Sequence, residues 1–254
     1  MNKQDLAHAL LKIQRAPCHP EWNRHCQNLA TELLQRNPEE FMDFQAVKET
    51  MFVGNAEYTF DEFEELLTVG KINANELTDC DVFSSKFQHP KWATTGNTIH
   101  HRYHLHTLKT LTQKDVTQCK SILELGGGYG NMARLSKRMG FLGAYYIIDL
   151  PEFALLQQYY LNYQGALVNW KPDLNQHYDL FIATWSLSEM PLEDRQPYEN
   201  LDVDYFLIAF GPEYGGIDNL SYFKNFGNVY PDHAWMLLEA PYLDNQYYLC
   251  GGPR

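Results

Sequence analysis

The chain is short of positive charge. Its 254 residues carry 20 Lys and Arg against 32 Asp and Glu, a formal net charge of −12. A protein that grips a phosphate backbone needs a basic stripe, so nucleic acid is not the expected partner. Long apolar runs are also lacking. Nothing approaches the roughly 18–20 residues of a membrane span, and the greasiest stretch, 141–150, is only of strand length. Asp5 and His8 interrupt residues 1–10, so no apolar h-region of a secretory leader is expected there. Cysteine is sparse. Five residues (Cys18, Cys26, Cys80, Cys119, Cys250) are an odd number without framework spacing, which points to reduced thiols in a cytoplasmic protein. There is no internal repeat and no low-complexity tract.

What is present is globular. Hydrophobic residues make up 44% and charged residues 20%. A chain of this length buries roughly 70% of its unfolded surface and needs no staples. Residues 1–118 read as a helical front. Helices are expected at about 4–15 and 21–36. Asn37-Pro38-Glu39-Glu40 gives a cap, a Pro at the first helical position and acids at the positive end, opening a helix through about Met51. Thr59-Phe60-Asp61-Glu62 reads as a capping box for a helix through Leu67, with Gly70 as its stop. Residues 73–96 read as loop, and a helix at about 98–112 carries His100, His101, His104 and His106.

Residues 119–254 change pattern. Strands are expected at 121–125, 145–149, 166–168 (weak), 178–184 and 205–210, and helices at 131–139 and 152–163. A closing hairpin is expected from 235–239 and 246–249. Strands alternating with helices at this spacing give an α/β fold with a mostly parallel, doubly wound, Rossmann-like sheet.

Gly126-Gly127-Gly128-Tyr129-Gly130 lies between a buried strand and a helix, where missing Cβ atoms let backbone approach a ligand. The dinucleotide fingerprint wants Gly-x-Gly-x-x-Gly, and Asn131 stands where its third glycine belongs. No Gly-Lys-Ser/Thr follows, so this is no P-loop. Glu124 stands two positions before the first glycine, which suits an ammonium or sulfonium neighbour better than a pyrophosphate. Asp149 ends the next strand, 19 residues past Gly130, where a carboxylate accepts both hydroxyls of a ribose. An adenosine-containing cofactor is the expectation. Asp149 as a cap for the helix at Pro151-Glu152 is the alternative, and the two roles are compatible.

At these residues the chain resembles the class I S-adenosylmethionine-dependent methyltransferases, whose first motif corresponds to Glu124-x-Gly126-x-Gly128-x-Gly130. A closer resemblance is to the sugar O-methyltransferase family. It rests on Leu123-Glu124-Leu125-Gly126-Gly127-Gly128-Tyr129-Gly130, Ile148-Asp149-Leu150-Pro151-Glu152 and Ser186-Leu187-Ser188-Glu189-Met190, and covers about 119–210. The resemblance implies a class I methyltransferase sheet with a helical N-terminal extension as substrate cover. It implies that Gly126, Gly127, Gly128 and Gly130 line the methionine moiety and that Tyr129 borders it. Glu124 would steer the cofactor's amino group, Asp149 hold the ribose, Leu150 lie against adenine, and Asn169 stand near the adenine amine. Thr184, Trp185 and Ser186 would end the fourth strand at the mouth between cofactor and acceptor.

Methyl transfer is largely a matter of positioning, but a sugar hydroxyl needs a base or a metal at neutral pH. Glu189, just past that strand, is the first candidate base. Its alternatives are capping the next helix or pairing with Arg195. His100 and His104, one turn apart on one helix face, are the second candidate, as base, metal pair or cofactor cover, and no carboxylate partner stands near them in sequence. His233 is a weaker candidate. Cys18-His19 and His25-Cys26 fit no standard zinc spacing, so no metal is expected. Of the 17 tyrosines, only Tyr58 and Tyr103 precede residue 121. Flat hydroxylated rings suit sugar faces, and they also suit strands.

The expected function is transfer of a methyl group from S-adenosylmethionine to a hydroxyl of a sugar or sugar-bearing small molecule. Rival readings are methylation of another small molecule or a protein side chain, and a non-catalytic module that keeps the cofactor pocket. A nicotinamide dehydrogenase is disfavoured by the glycine spacing. Residues 189–213 hold seven acids against Arg195 alone, so a neutral or cationic acceptor is expected.

Overall fold

The computed structural model describes residues 1–14, 18–51, 56–72, 74–78, 83 and 93–254. Cys80, Arg15 and most of the 73–96 loop lie outside them. The chain forms two compact units, each built from three segments. The first comprises Met1–His106, Gly127–Gly140 and Asp149–Leu167; the second comprises Thr107–Gly126, Phe141–Ile148 and Val168–Arg254. The boundary expected at 118/119 therefore falls inside the second unit.

The first unit is helical. It holds α1 (Lys3–Leu11), α2 (Pro20–Gln35), α3 (Gln45–Thr50), α4 (Tyr58–Thr68), α5 (Gly96–Thr112, up to His106), α6 (Asn131–Arg138) and α7 (Pro151–Tyr163). The helix expected to run from Pro38 through Met51 is two pieces. A 3-10 turn covers Pro38–Asp43, Phe44 is extended, and α3 starts afresh at Gln45. The break is stabilised from outside. Glu32 on α2 accepts from the Gln45 and Ala46 N–H groups at 3.0 and 2.8 Å, satisfying donors that a new helix start leaves open. Buried Phe44 also takes the Arg36 guanidinium over its ring at 4.3 Å.

The capping box expected at Thr59 does not form. Thr59 lies inside α4 and donates its hydroxyl to the Ala56 carbonyl, which leaves Glu62 to a different partner. Phe41, Phe83, Tyr129 and Tyr160 form an aromatic cluster, with ring centroids 5.3–5.5 Å apart.

The second unit holds β1 (Ser121–Leu125), β2 (Ala144–Ile148), β3 (Tyr178–Thr184), α8 (Leu192–Arg195), β4 (Val203–Phe210), the hairpin β5 (Glu213–Tyr214) and β6 (Ile217–Asp218), α9 (Asn219–Phe226), β7 (His233–Glu239) and β8 (Tyr247–Pro253). The main sheet has the order β2-β1-β3-β4-β8-β7. Its first four strands are parallel, and β8 and β7 add an antiparallel pair. The α/β expectation, mostly parallel with an antiparallel C-terminal pair, holds. Leu180, Phe181, Ile182 and Ala183 on β3 are fully buried, the near-continuous apolar run of an inner parallel strand. The weak strand expected at 166–168 is a single bridge, Tyr146 to Asn169.

β1 has β2 on one side and β3 on the other, so the strand order reverses at β1. Ligands of open α/β sheets bind beyond the carboxyl ends of the strands at such a switch point. Here those ends are Leu125-Gly126 and Thr184-Trp185.

Candidate functional site

The glycine loop follows β1 without a break. Gly126, Gly128 and Gly130 have φ of +72, +58 and +94°, which side-chain-bearing residues rarely adopt. Two also have no room. An added Cβ at Gly126 would lie 2.3 Å from Ser186 Cβ, and at Gly130 2.8 Å from Leu161 Cδ1. Gly130 is the N-cap of α6. Tyr129 carries its ring into the aromatic cluster, where it is 1% exposed and its hydroxyl accepts from Asn97 at 3.0 Å. Tyr129 can therefore offer a ligand its backbone and not its ring.

Asp149 is bound directly to this loop. Its Oδ2 accepts from Gly128 N–H at 3.2 Å and from Gln157 Nε2 at 2.6 Å, and its Oδ1 from Leu150 N–H at 2.7 Å. Gln157 also donates to the Gly128 carbonyl at 3.0 Å, closing a small ring of bonds. Burial pushes the carboxyl up to about 7, against the lowering effect of the Leu150, Gln157, Gly128 and Gly127 hydrogen bonds. Asp149 does not cap the following helix, because Leu150 is the N-cap of α7 and that end receives no side-chain cap bond. Sequence reasoning missed Gln157. The available signal was a polar residue four positions after Phe153, on the buried stripe of α7.

The α5 histidines have acidic partners that lie far away along the chain. His100 Nδ1 lies 2.7 Å from Glu62 Oε1, with both side chains buried. One turn on, Glu65 accepts from the Tyr103 hydroxyl at 3.1 Å and stands 3.4 Å from His106 Nε2. These contacts link α4 to α5. Burial raises the Glu62 carboxyl, and His100 opposes the rise. His104 is fully buried, 4.2 Å from the His100 ring, and burial followed by His100 and His101 drives its pKa well down. His101 is likewise lowered, to about 3, by burial and then by His100 and Arg134. It is neutral at pH 7, and its Nδ1 lies 3.0 Å from the Asn131 amide nitrogen, which donates.

In the second unit, Glu124 is 2% exposed and accepts from the Tyr145 hydroxyl at 3.0 Å. Asn169 is exposed, while its backbone bonds to Tyr145 and Ile147. Leu150 and Thr184 are half-buried. Ser186 donates its hydroxyl to the Leu125 carbonyl, joining the chain after β3 to the end of β1. Trp185 has φ +63°, an uncommon conformation for a bulky residue, and its indole donates to Gln246 at 2.6 Å.

Past Trp185 lies a cleft of about 310 Å³, lined by Trp185, Ser188, Glu189, Gly211, Glu213, Tyr214, Asn219, Leu243 and Gln246. Arg195, the residue expected to compete for Glu189, is anchored on backbone. Fully buried, it donates to the Ser188 and Met190 carbonyls at 2.7 and 2.9 Å and lies 4.7 Å over the Tyr222 ring. It fixes the turn that carries Glu189.

Other candidates are occupied elsewhere. His233 lies 3.0 Å from the Val203 carbonyl, at the amino end of β4 and away from the carboxyl ends. His19 caps α2, His25 faces Glu49 at 3.8 Å, and the Cys26 thiol is raised by burial and by its bond to Glu152. Among the described residues, the group with metal-ligand spacing is His177, Asp179 and Asp204, which are hydrogen-bonded or ion-paired and partly exposed. No helix of the described residues is long and apolar enough to cross a membrane.

The second unit defines a mostly parallel α/β sheet with a topological switch point at β1, and the first unit holds a glycine loop bonded to the acid Asp149. No family model and no curated protein matches the chain. Among solved structures it is similar to the methyltransferase domain of bacterial CtHen1, at 11% identity over 60% of this chain and 98% of that one, with a TM-score of 0.46. It is similar to a SAM-dependent methyltransferase from Aquifex aeolicus, at 20% identity over 59% and 91%, with a TM-score of 0.43. It is also similar to an rRNA methylase from Escherichia coli, at 11% identity over the whole of both chains, with a TM-score of 0.45.

Proposed function

We propose that this protein transfers a methyl group from S-adenosylmethionine to a hydroxyl of a sugar-containing small molecule. The observation that carries the cofactor half is the bond between Asp149 and the glycine loop. A strand-end carboxylate beside a backbone free of Cβ atoms suits a ribose next to a close-packed amino-acid chain. The donor set fits: Asp149 would take the ribose hydroxyls, and Gly126, Gly127, Gly128 and Gly130 would accommodate the methionine end. Leu150 offers an apolar face to adenine, and Thr184, Trp185 and Ser186 would bound the methyl. When bound, the cofactor supplies a methyl on positively charged sulfur.

What remains for the chain's own residues is to orient the acceptor and remove its proton. We assign the base to Glu189, half-buried in the cleft and held by the turn that Arg195 fixes. His100, paired with Glu62, and His104, packed against His100, are both buried and are the weaker choice. A small-molecule acceptor follows from the charge of −12, which disfavours an RNA backbone. Cysteines without framework spacing support a cytoplasmic setting, and burial pushes the Cys119 and Cys250 thiols up to about 12, which keeps them unreactive.

Calorimetry with S-adenosylmethionine and S-adenosylhomocysteine tests the cofactor. Absence of binding to the wild type, or unchanged binding in Asp149→Ala, would refute it. Mass-spectrometric screening of sugars, other small molecules, peptides and RNA with labelled cofactor tests the acceptor. Methylation of RNA or peptide alone would replace the sugar reading.

A further inference from the structure

We propose that Gln157 is a positioning residue for the nucleoside, holding the Asp149 carboxylate in place to receive the ribose. The proposal rests on the cofactor reading above. Gln157 stands in the second turn of α7 and is fully buried. Its amide nitrogen donates to Asp149 Oδ2 at 2.6 Å and to the Gly128 carbonyl at 3.0 Å. A primary amide nitrogen carries two hydrogens, one for each of these acceptors. Both partners accept, so the amide nitrogen must face them and the amide oxygen cannot.

Asp149 Oδ2 also accepts from the Gly128 N–H at 3.2 Å. Between them, Gln157 and Asp149 engage both the N–H and the carbonyl of Gly128. The terminal torsion of an aspartate is soft, so a carboxylate without such a brace samples many angles. A helix-borne donor fixes that angle before a ligand arrives. The same bond favours the ionised carboxylate, working against the burial that raises Asp149. Cys26 of α2 interacts with both Asp149 and Glu152 of α7, and burial keeps its thiol neutral through the range tested.

Calorimetry of the full chain with 5′-methylthioadenosine tests this in wild type, Gln157→Met, Asp149→Asn and the double variant. Met keeps the reach of Gln and removes the donor. Gln157→Met should move the midpoint of the pH profile upward by about one pH unit. Binding at pH 7 should weaken about fivefold, as the ionised fraction falls from about half to about a tenth. That loss should shrink as the pH rises towards 9. In the Asp149→Asn background the same change should cost less than about twofold. An unmoved midpoint, or a loss of equal size with and without the carboxylate, overturns the assignment. Nitrogen-15 NMR of the wild-type Gln157 side-chain amide needs no variant to fold. Its signal should titrate with the midpoint of nucleoside binding, and a signal that stays flat between pH 6 and 8 also overturns the assignment. If wild type binds no nucleoside, the cofactor reading falls and this assignment falls with it. Binding that persists with a flat amide signal or an unmoved midpoint removes Gln157 alone.

Discussion

Lowering the pH from 8 to 6 should weaken the binding of an adenine nucleoside about tenfold, through the Asp149 carboxyl alone. Its pKa stands at about 7 because burial opposes the charge. Relative to an ordinary carboxyl at 3.8, that withholds roughly 4 kcal/mol from the ionised form. Ribose hydroxyls are donors, so they bind the anion. If only the anion binds, the apparent Kd rises about twofold at pH 7 and about elevenfold at pH 6 over its alkaline limit. A suitable probe is 5′-methylthioadenosine, which lacks the amino and carboxyl groups of the full cofactor. His101, held at about 3, is neutral throughout this window and does not interfere. Calorimetry at pH 7 in two buffers of different ionisation enthalpy should report release of about half a proton per nucleoside bound. Asp149→Asn should bind weakly with a flat profile. A flat profile in the wild type, or an undiminished slope in Asp149→Asn, refutes the reasoning. The same shift sets the sign for the unliganded fold. A raised carboxyl favours folding below 3.8 and loses that contribution as the pH climbs towards 7.

Gly126→Ala should destabilise by about 3 kcal/mol, because it combines positive φ with a clash against Ser186. Gly140→Ala shares the positive φ but meets nothing within 4 Å, so a loss of about 1 kcal/mol is expected; chemical denaturation of both variants separates clash from strain. Glu62→Leu should cost about 3 kcal/mol by removing the buried Glu62–His100 bond, and Glu62→Leu with His100→Leu should cost less than the two single changes added, as a double-mutant cycle would show. Arg195→Ala should lower the melting temperature by an amount equivalent to about 3 kcal/mol, and methyl transfer should fall further than cofactor affinity because the Glu189 turn loses its anchor.

The elements that sequence reveals best are those whose pattern is local. The run 178–184 is apolar, strand-length and bounded by polar residues, and β3 occupies those limits. The glycine loop and Asp149 are likewise readable, because the fold needs them at fixed distances along the chain. Less local interactions are hidden. Glu62 and His100 are 38 residues apart, and reading Glu62 as half of a capping box gave it a different role. The new start at Gln45 depends on Glu32, 13 residues away on another helix. One missed feature was local all the same. Gly215-Gly216, at φ +58 and +80°, makes the two-residue turn of β5 and β6, a strong hairpin signal. The seven acids of 189–213 also separate by environment. Glu189 and Glu213 line the cleft, Asp202 and Asp204 meet His177, Glu199 accepts from Tyr222, and Glu193 and Asp194 are exposed.

The interleaving of the first unit has a cost during synthesis. Helices α1 and α2 pack on α7, where Trp22 meets Phe153 with ring centroids 5.7 Å apart. Those partners are 131 residues apart in the chain. At about 5–20 residues per second, a ribosome needs roughly 7–26 s to supply the second after the first. For that interval the face of α2 that carries Trp22 lacks its α7 partner. Folding of this chain is therefore a waiting problem. Ending the chain at residue 118 would make the wait permanent, since neither α6 nor α7 would ever arrive.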